Sequence, residues 1–403
     1  MWTALADLAR DIAGDLPEGL VEEWADPQKR TEALATQILA PFRRVGTVVG
    51  SDTAGLSKMA SRLPLAVVLK RIAEPKERIH AVGTGLGGHA IGYWVADNTE
   101  LFYPEHISVD AIVQAMCRIH DSGPVQVGFC IHVGTFYEIG GGLYGPDADR
   151  VEILAEDHTS GRDTLITPEC HAALEHPESF RFEPRDEGSM GRVFHVQTDA
   201  PGPKPTGSID YPLPYDRGMH ELLARLDESD PQPIIDEIDR RYRGQSTVLL
   251  AERHQHRPVH NLSETLDSLL RDSQFQRIVT PILRDSTPYW TVGGSLALGA
   301  FETADQAVAT ARAIRAAAIE AEGLLTVGID SGDVYRFPMG RDRHEFAGDP
   351  VNRASKMAED LAQPGDLCLS ERAARGLDLP DAITQLWTIS GIEIEARRIP
   401  GPS

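Results

Sequence analysis

Two stretches of this chain share one plan of apolar and polar positions. Val127 to Thr167 reads VGFCIHVGTFYEIGGGLYGPDADRVEILAEDHTSGRDTLIT, and Val327 to Ser370 reads VGIDSGDVYRFPMGRDRHEFAGDPVNRASKMAEDLAQPGDLCLS. Each predicts an apolar strand, a Gly turn, a glycine-bearing loop, a helix, a second Gly turn and a second strand. The repeat extends upstream: TVVGSDTAGLS from Thr47 and TVLLAERHQHR from Thr247 superpose at an offset of 200 with no gap. The chain is therefore an internal duplication.

The pattern around the copies sets the expected domain plan. Residues 1–42 read as a helical segment packed on the first copy, with Leu5, Leu8 and Ile12, then Leu34, Ile38 and Leu39, at helical spacing. The first domain is expected over 43–198, closing with RVFHVQT. DAPGPKPTGSIDYPLPY, Asp199 to Tyr215, carries five prolines, which lack a backbone donor and fix φ, so it reads as a stiff linker. HELLARL and IIDEIDRRY predict helices in the rest of 199–243, and the second domain is expected over 244–403, ending with IEIEARRI. ADQAVATARAIRAAAIEAEG reads as an Ala-rich helix with an Asp near its start and Gly323 at its end. Helices alternating with apolar strands such as GTVVG and STVLLA indicate an α+β class built on an antiparallel sheet.

Composition narrows the function classes. At 403 residues and 41% hydrophobic content the chain has room for two ordinary globular domains. No apolar run approaches the roughly 18 to 20 residues that span a bilayer, and MWTALADLARDIAGDLPEG is acidic where a signal peptide is basic, so a cytoplasmic protein without a membrane partner is expected. Cys117, Cys130, Cys170 and Cys368 are scattered with no C-x-x-C pair and read as buried small hydrophobes. A formal charge of −22 argues against a nucleic acid polymer, which needs a basic surface. A nucleoside triphosphate remains possible, because it arrives with magnesium and needs only a local positive field.

Both copies resemble the catalytic domain of class III nucleotidyl cyclases, whose signature runs roughly G-I-H-x-G, G-D-x-V-N-x-A-A-R and P-G-x-I-x-V-S. Here these stand as CIHVG and GIDSG, GDPVNRASKM, and PGDLCLS, while DTAGLS (Asp52 to Ser57) matches the family's D-I-x-G-F-[ST]. The resemblance implies two ferredoxin-like domains forming an intramolecular pseudo-heterodimer, similar to the paired, non-identical catalytic domains of animal membrane adenylyl cyclases. A monomeric chain follows from it. The implied reaction is ATP to cyclic AMP and pyrophosphate. Attack of the 3′-hydroxyl on the α-phosphorus builds charge on phosphate oxygens, which two Mg2+ or Mn2+ ions held by carboxylates can neutralise.

The resemblance also distributes the site residues. Asp52 and, in the hairpin WVADNTELFY, Asp97 take the two metal positions; the second copy has Glu252 and either Gly294 or Ser295 there. Thr53, Ala54, Gly55 and Leu56 follow Asp52 at a turn expected to open a helix, whose amides are a ready triphosphate site. Asn352 and Lys356 occupy the positions of the family's Asn, which orients the ribose, and Arg, which stabilises the transferring phosphate; the first copy has Asp149 and Ile153. Lys keeps the charge and loses the bidentate fork. The two sets of losses are complementary, which implies one complete site and one vacant pseudo-site.

Base selection falls on Glu345 and on Trp290 or Thr291. A carboxylate accepts from an exocyclic amine and repels carbonyl oxygens, which favours ATP, with a cyclase for another base such as CTP or GTP as the alternative. Trp290 suits either base stacking or a core. The family's terminal-phosphate Lys is missing from LWTISGIEIEARRI, leaving Arg397 and Arg398 as candidate substitutes.

Other features read as structural. Asp147, Asp149, Glu152, Glu156 and Asp157 read as a solvated helix face in preference to a Ca2+ site, inhibitory or structural, because EF-hand spacing is absent. GTGLGG (Gly83 to Gly88) is followed by a strand-like HAIGYWV, against a dinucleotide site, and His132 reads as structural. The alternatives to a working cyclase are a nucleotide-binding regulatory module and a partner-binding pseudo-enzyme.

Overall fold

The computed structural model describes residues 22–53, 59, 62–92, 94, 98–120, 125–199, 215–253, 258–321, 323, 325–339, 343–389 and 392–401. The expected helix around Leu5, Leu8 and Ile12 and nearly all of the Pro-rich linker lie outside them. Two compact units emerge: one holds the described residues of 16–214 with Pro258–Asp267, the other Tyr215–Arg253 and Ser268–Gly401.

The first unit opens with α1 (Glu32–Leu39), which Thr31 caps by accepting from Leu34 N. Its chain order is β1 (Arg43–Thr53), α2 (Leu65–Gly85), β2 (His89–Ala90), β3 (Thr99–Pro104), α3 (Val109–Ile119), β4 (Val127–Ile139), β5 (Gly142–Tyr144), α4 (Pro146–Asp157), β6 (Thr164–Ile166), α5 (Pro168–Ala172), β7 (Arg181–Asp186) and β8 (Arg192–Gln197). The sheet order is β2-β3-β1-β4-β6-β8-β7, with β5 on β4. Strand β1 is central and antiparallel to both β3 and β4, while β4 and β6 are parallel.

The second unit begins with α6 (Arg217–Arg225) and α7 (Gln232–Tyr242), where the sequence predicts helices. Then come β9 (Arg243–Arg253), α8 (Leu262–Ser286, in this unit from Ser268 on), β10 (Tyr289–Gly293), β11 (Leu296–Phe301), α9 (Ala304–Glu320), β12 (Leu325–Met339), β13 (Arg343–Ala347), α10 (Asp349–Lys356), β14 (Leu367–Ser370), α11 (Glu371–Ala374), β15 (Ile383–Ile389) and β16 (Ile392–Ile399). Helix α9 has a capping box between Thr303 and Gln306, and Gly323 N closes its far end on the Ala318 carbonyl. The sheet order β10-β11-β9-β12-β14-β16-β15, with β13 on β12, repeats the first sheet strand for strand. Strands β1 and β9 correspond at the offset of 200 read from sequence.

Each sheet has a helix on the face that matters for the site. In the first copy Val48 and Phe136 pack with Ala148 and Val151 of α4. In the second, Val248, Leu250 and Val334 pack with Ala354 of α10. A glycine permits the close approach, on a different strand in each copy. A Cβ on Gly50 of β1 would meet Val151 at 2.7 Å, and a Cβ on Gly328 of β12 would meet the Ala354 carbonyl oxygen at 1.9 Å. Cys130, Cys170 and Cys368 are buried, and burial pushes the Cys130 and Cys368 thiols up to about 12, as inert core cysteines. Helix α2 ends at Gly85 and leads through Gly87 and Gly88 into strand β2, so GTGLGG opens no helix. Among the described residues no helix is long and apolar enough to cross a membrane.

Candidate functional site

Asp52 stands near the end of β1 on the face that carries α4, opposite Gly128 in the ladder. Alternation along the strand places Val48, Gly50 and Asp52 on one side, so Asp52 lies beyond the contacts of Gly50 with Val151 and Ala155. The strand end is pinned by a 2.5 Å contact between the hydroxyls of Ser51 and Thr99, both buried. Desolvation raises the Asp52 pKa, opposed by a hydrogen bond from Thr53 N and reinforced by the charge of Asp157. Glu156 is pushed up to about 8 by desolvation and by Glu152, Asp52 and Asp157; its surface still meets water, so the three neighbouring charges are the firmer cause. Asn98 Nδ2, just before β3, donates to Glu156 at 2.5 Å. Partly buried Glu100 is also pushed up to about 8, by desolvation and by Glu152.

The acidic cluster read as a solvated helix face is thus divided. Glu152, Glu156 and Asp157 are exposed, and they form the anionic surroundings of Asp52. Asp147 accepts from Thr135 N at 2.7 Å, and Asp149 accepts from Val259 N at 2.7 Å. Asp97, Ala54, Gly55 and Leu56 lie outside the described residues; Thr53 is buried. Among the described residues no three His, Cys, Asp or Glu side chains converge as metal ligands. A hard divalent cation suits the concentration of carboxylates at Asp52, and the ligand pair there depends on Asp97.

The equivalent place in the second copy is built differently. Ladder register sets Thr99 against Ala297 as corresponding residues, with Gly294 and Ser295 in the turn before it. The Ser295 carbonyl accepts from Arg253 N at 2.8 Å. Arg253, which corresponds to Thr53, is buried and donates its Nε to Asp272 at 2.7 Å and an Nη to Ser268. This ion pair lies on the face of β9 that carries α8, the side away from Glu252.

Asn352 and Lys356 lie half-buried on α10, which starts at Gly348, whose φ of 151° suits glycine. They share one helix face at a spacing of four. Gly145 and Gly348 head α4 and α10 alike, and counting from them pairs Asp149 with Asn352 and Ile153 with Lys356. Glu345 is buried on β13, opposite Phe337.

One expectation needs correction. Trp290 is not placed for base stacking: it is 6% exposed in the core with Phe275, Val279, Leu283 and Val292, on the face of the sheet away from α10. Strand alternation puts Thr291 on the other face, the side of Tyr289, which packs against the α10 cluster. Arg397 and Arg398, the candidate substitutes for a terminal-phosphate Lys, both have partners within their own copy. Arg397 binds Glu371 and Thr384, and Arg398 binds the buried Asp366, so both fasten their own sheet.

A pair of hairpin hooks escaped sequence reading. Lys76 of α2, 4% exposed, donates Nζ to the Trp94 carbonyl, three residues before Asp97. Gln276 of α8, exactly one repeat later in the offset of 200, donates Nε2 to the Gly294 carbonyl at 3.1 Å. The repeated spacing is the signal that could have found them.

No family model matches the chain, and no curated protein does. Among solved structures, a class III adenylyl cyclase-like ATP-binding protein from Pseudomonas aeruginosa is 14% identical with a TM-score of 0.50, covering 82% of this chain and 84% of its own. An adenylate/guanylate cyclase/hydrolase from Silicibacter pomeroyi is 20% identical, TM-score 0.33, over 40% of this chain and 98% of its own. The adenylyl cyclase CyaB from P. aeruginosa is 13% identical, TM-score 0.35, over 40% and 98%. The first of these matches, with the duplicated sheet order, shows the class III cyclase type of fold, α+β, in two copies.

Proposed function

We propose that the chain is a class III nucleotidyl cyclase, converting ATP to cyclic AMP and pyrophosphate with one set of site residues. The observation that carries this reading is the division of labour between the copies. Asp52 keeps anionic surroundings fit for a divalent cation, while in the second copy Glu252 takes its place, with Gly294 and Ser295 where the first copy offers Asp97. Asn352 and Lys356 are on α10, whose counterparts in the first copy are Asp149 and Ile153.

In this reading Asp52 and Asp97 hold Mg2+ or Mn2+, which when bound would lower the pKa of the attacking hydroxyl and neutralise the leaving pyrophosphate. Asn352 orients the ribose, and Lys356 sets a point charge beside the transferring phosphate. Glu345 and Thr291 are the base-selecting candidates, with a carboxylate favouring an amine-bearing base. Thr53 to Leu56 offer backbone amides to the triphosphate.

A second reading, ATP binding without turnover, is favoured by Lys356 in place of Arg and by the engagement of Arg397 and Arg398. The P. aeruginosa protein with the similar fold is itself described as ATP-binding and cyclase-like. Incubating the purified chain with each of the four ribonucleoside triphosphates and Mn2+, with products resolved by mass, separates the readings. Cyclic AMP supports the cyclase; ATP retention with no cyclic product supports the binding protein.

A further inference from the structure

The helix that carries Asn352 and Lys356 is fastened by a residue to which no signature motif gives a role. Asp330 of β12 is fully buried, and a buried carboxylate must be paired. It accepts from Arg372 of α11, whose Nε reaches Oδ1 at 2.6 Å and whose Nη2 reaches Oδ2. Ser370 Oγ adds a third bond, and Arg353 Nε lies 3.5 Å from Oδ2. The same Nη2 of Arg372 also donates to Asp349 Oδ2 at 2.6 Å, in the first turn of α10. Asp349, Asn352 and Lys356 stand at positions i, i+3 and i+7, one stripe of the helix. Arg372 thus ties that stripe to the central sheet.

The first copy places different groups at the same positions. His132 takes the place of Asp330 and Glu169 that of Arg372, with Nδ1 of His132 3.7 Å from Glu169. Thr167 repeats Ser370, 2.8 Å from His132 Nδ1. Arg150 repeats Arg353 and binds Glu169 at 3.1 Å. In the first copy the strand residue itself reaches the helix start, with His132 Nε2 3.2 Å from Asp147 Oδ1, whereas the second copy reaches it through the arginine fork of Arg372.

We propose that Arg372 is a positioning residue for Asn352 and Lys356, clamping α10 through Asp330 and Asp349. The proposal rests on the cyclase reading for its kinetic arm. Four variants test it: Arg372→Met, Asp349→Asn, which leaves Asp330 paired and the fold supported, Arg372→Glu, and the exchange pair Asp330→His with Arg372→Glu, which installs the first copy's residues. The readouts are kcat and KM with Mn2+-ATP, ATP affinity, and amide hydrogen exchange over residues 349–356. Arg372→Met is expected to lower kcat at least tenfold with KM within about threefold, and to speed exchange in α10. Asp349→Asn should do the same more weakly. Arg372→Glu alone should be the worst, and adding Asp330→His should recover much of the loss.

Unchanged kcat, or faster exchange with unchanged kcat, overturns the proposal. If wild type forms no cyclic product, the cyclase reading fails, and the clamp is judged by exchange and ATP affinity; Arg372→Met matching wild type in either then overturns it.

Discussion

Lys356 carries the largest chemical departure from the family pattern. If it is the charge on the transferring phosphate, Lys356→Ala should cost about 2 to 4 kcal/mol of transition-state stabilisation, roughly thirty- to a thousandfold in kcat. Steady-state rates check this, and an unaffected variant would remove Lys356 from the mechanism. Glu100 gives a pH prediction. Its folded-state pKa is raised to about 8 from 4.5, so across that interval the folded chain keeps a proton that the unfolded chain releases. Stability should therefore fall as pH rises from about 4.5 to 8, by less than the roughly 1.4 kcal/mol per pH unit of a full proton, because Glu100 is partly solvated. Glu100→Gln should flatten the profile, as denaturation at several pH values would show. What sequence conveyed at this scale was residue type and position: Asn352 and Lys356 stand on one helix face as their spacing predicts. Environment was not legible. Trp290 suits a base or a core equally by chemistry, and only the alternation of β10 against α8 decides for the core.

At the scale of elements, α10 depends on Gly328 as much as on Arg372. A methyl at Gly328 would meet the Ala354 carbonyl at 1.9 Å, so Gly328→Ala should force the helix outward and destabilise the chain by about 1 to 3 kcal/mol. Thermal unfolding measures the loss, and a neutral result would mean that α10 shifts freely. The two copies were recognisable because their strands and glycine turns recur in order, and β1 and β9 coincide residue for residue. The helix seating was not, because the first copy makes room at Gly50 and the second at Gly328. Nor were the partners of Arg397 and Arg398, since Glu371 and Asp366 are brought to them only by the pairing of β14 with β16.

For the molecule as a whole, the account is that one copy has kept the metal ligands and the other the groups that act on ribose and phosphate. In the second copy Glu252 matches Asp52, and the hairpin that would supply a second carboxylate carries Gly294 and Ser295. Asymmetry between the copies is therefore the claim to test. The direct measurement is cyclic AMP formation, resolved by mass, from wild type, Asp97→Asn and Glu252→Gln side by side with Mn2+-ATP. The account predicts product from wild type, none from Asp97→Asn with its fold intact, and a rate near wild type from Glu252→Gln. Equal loss in the two variants would contradict it.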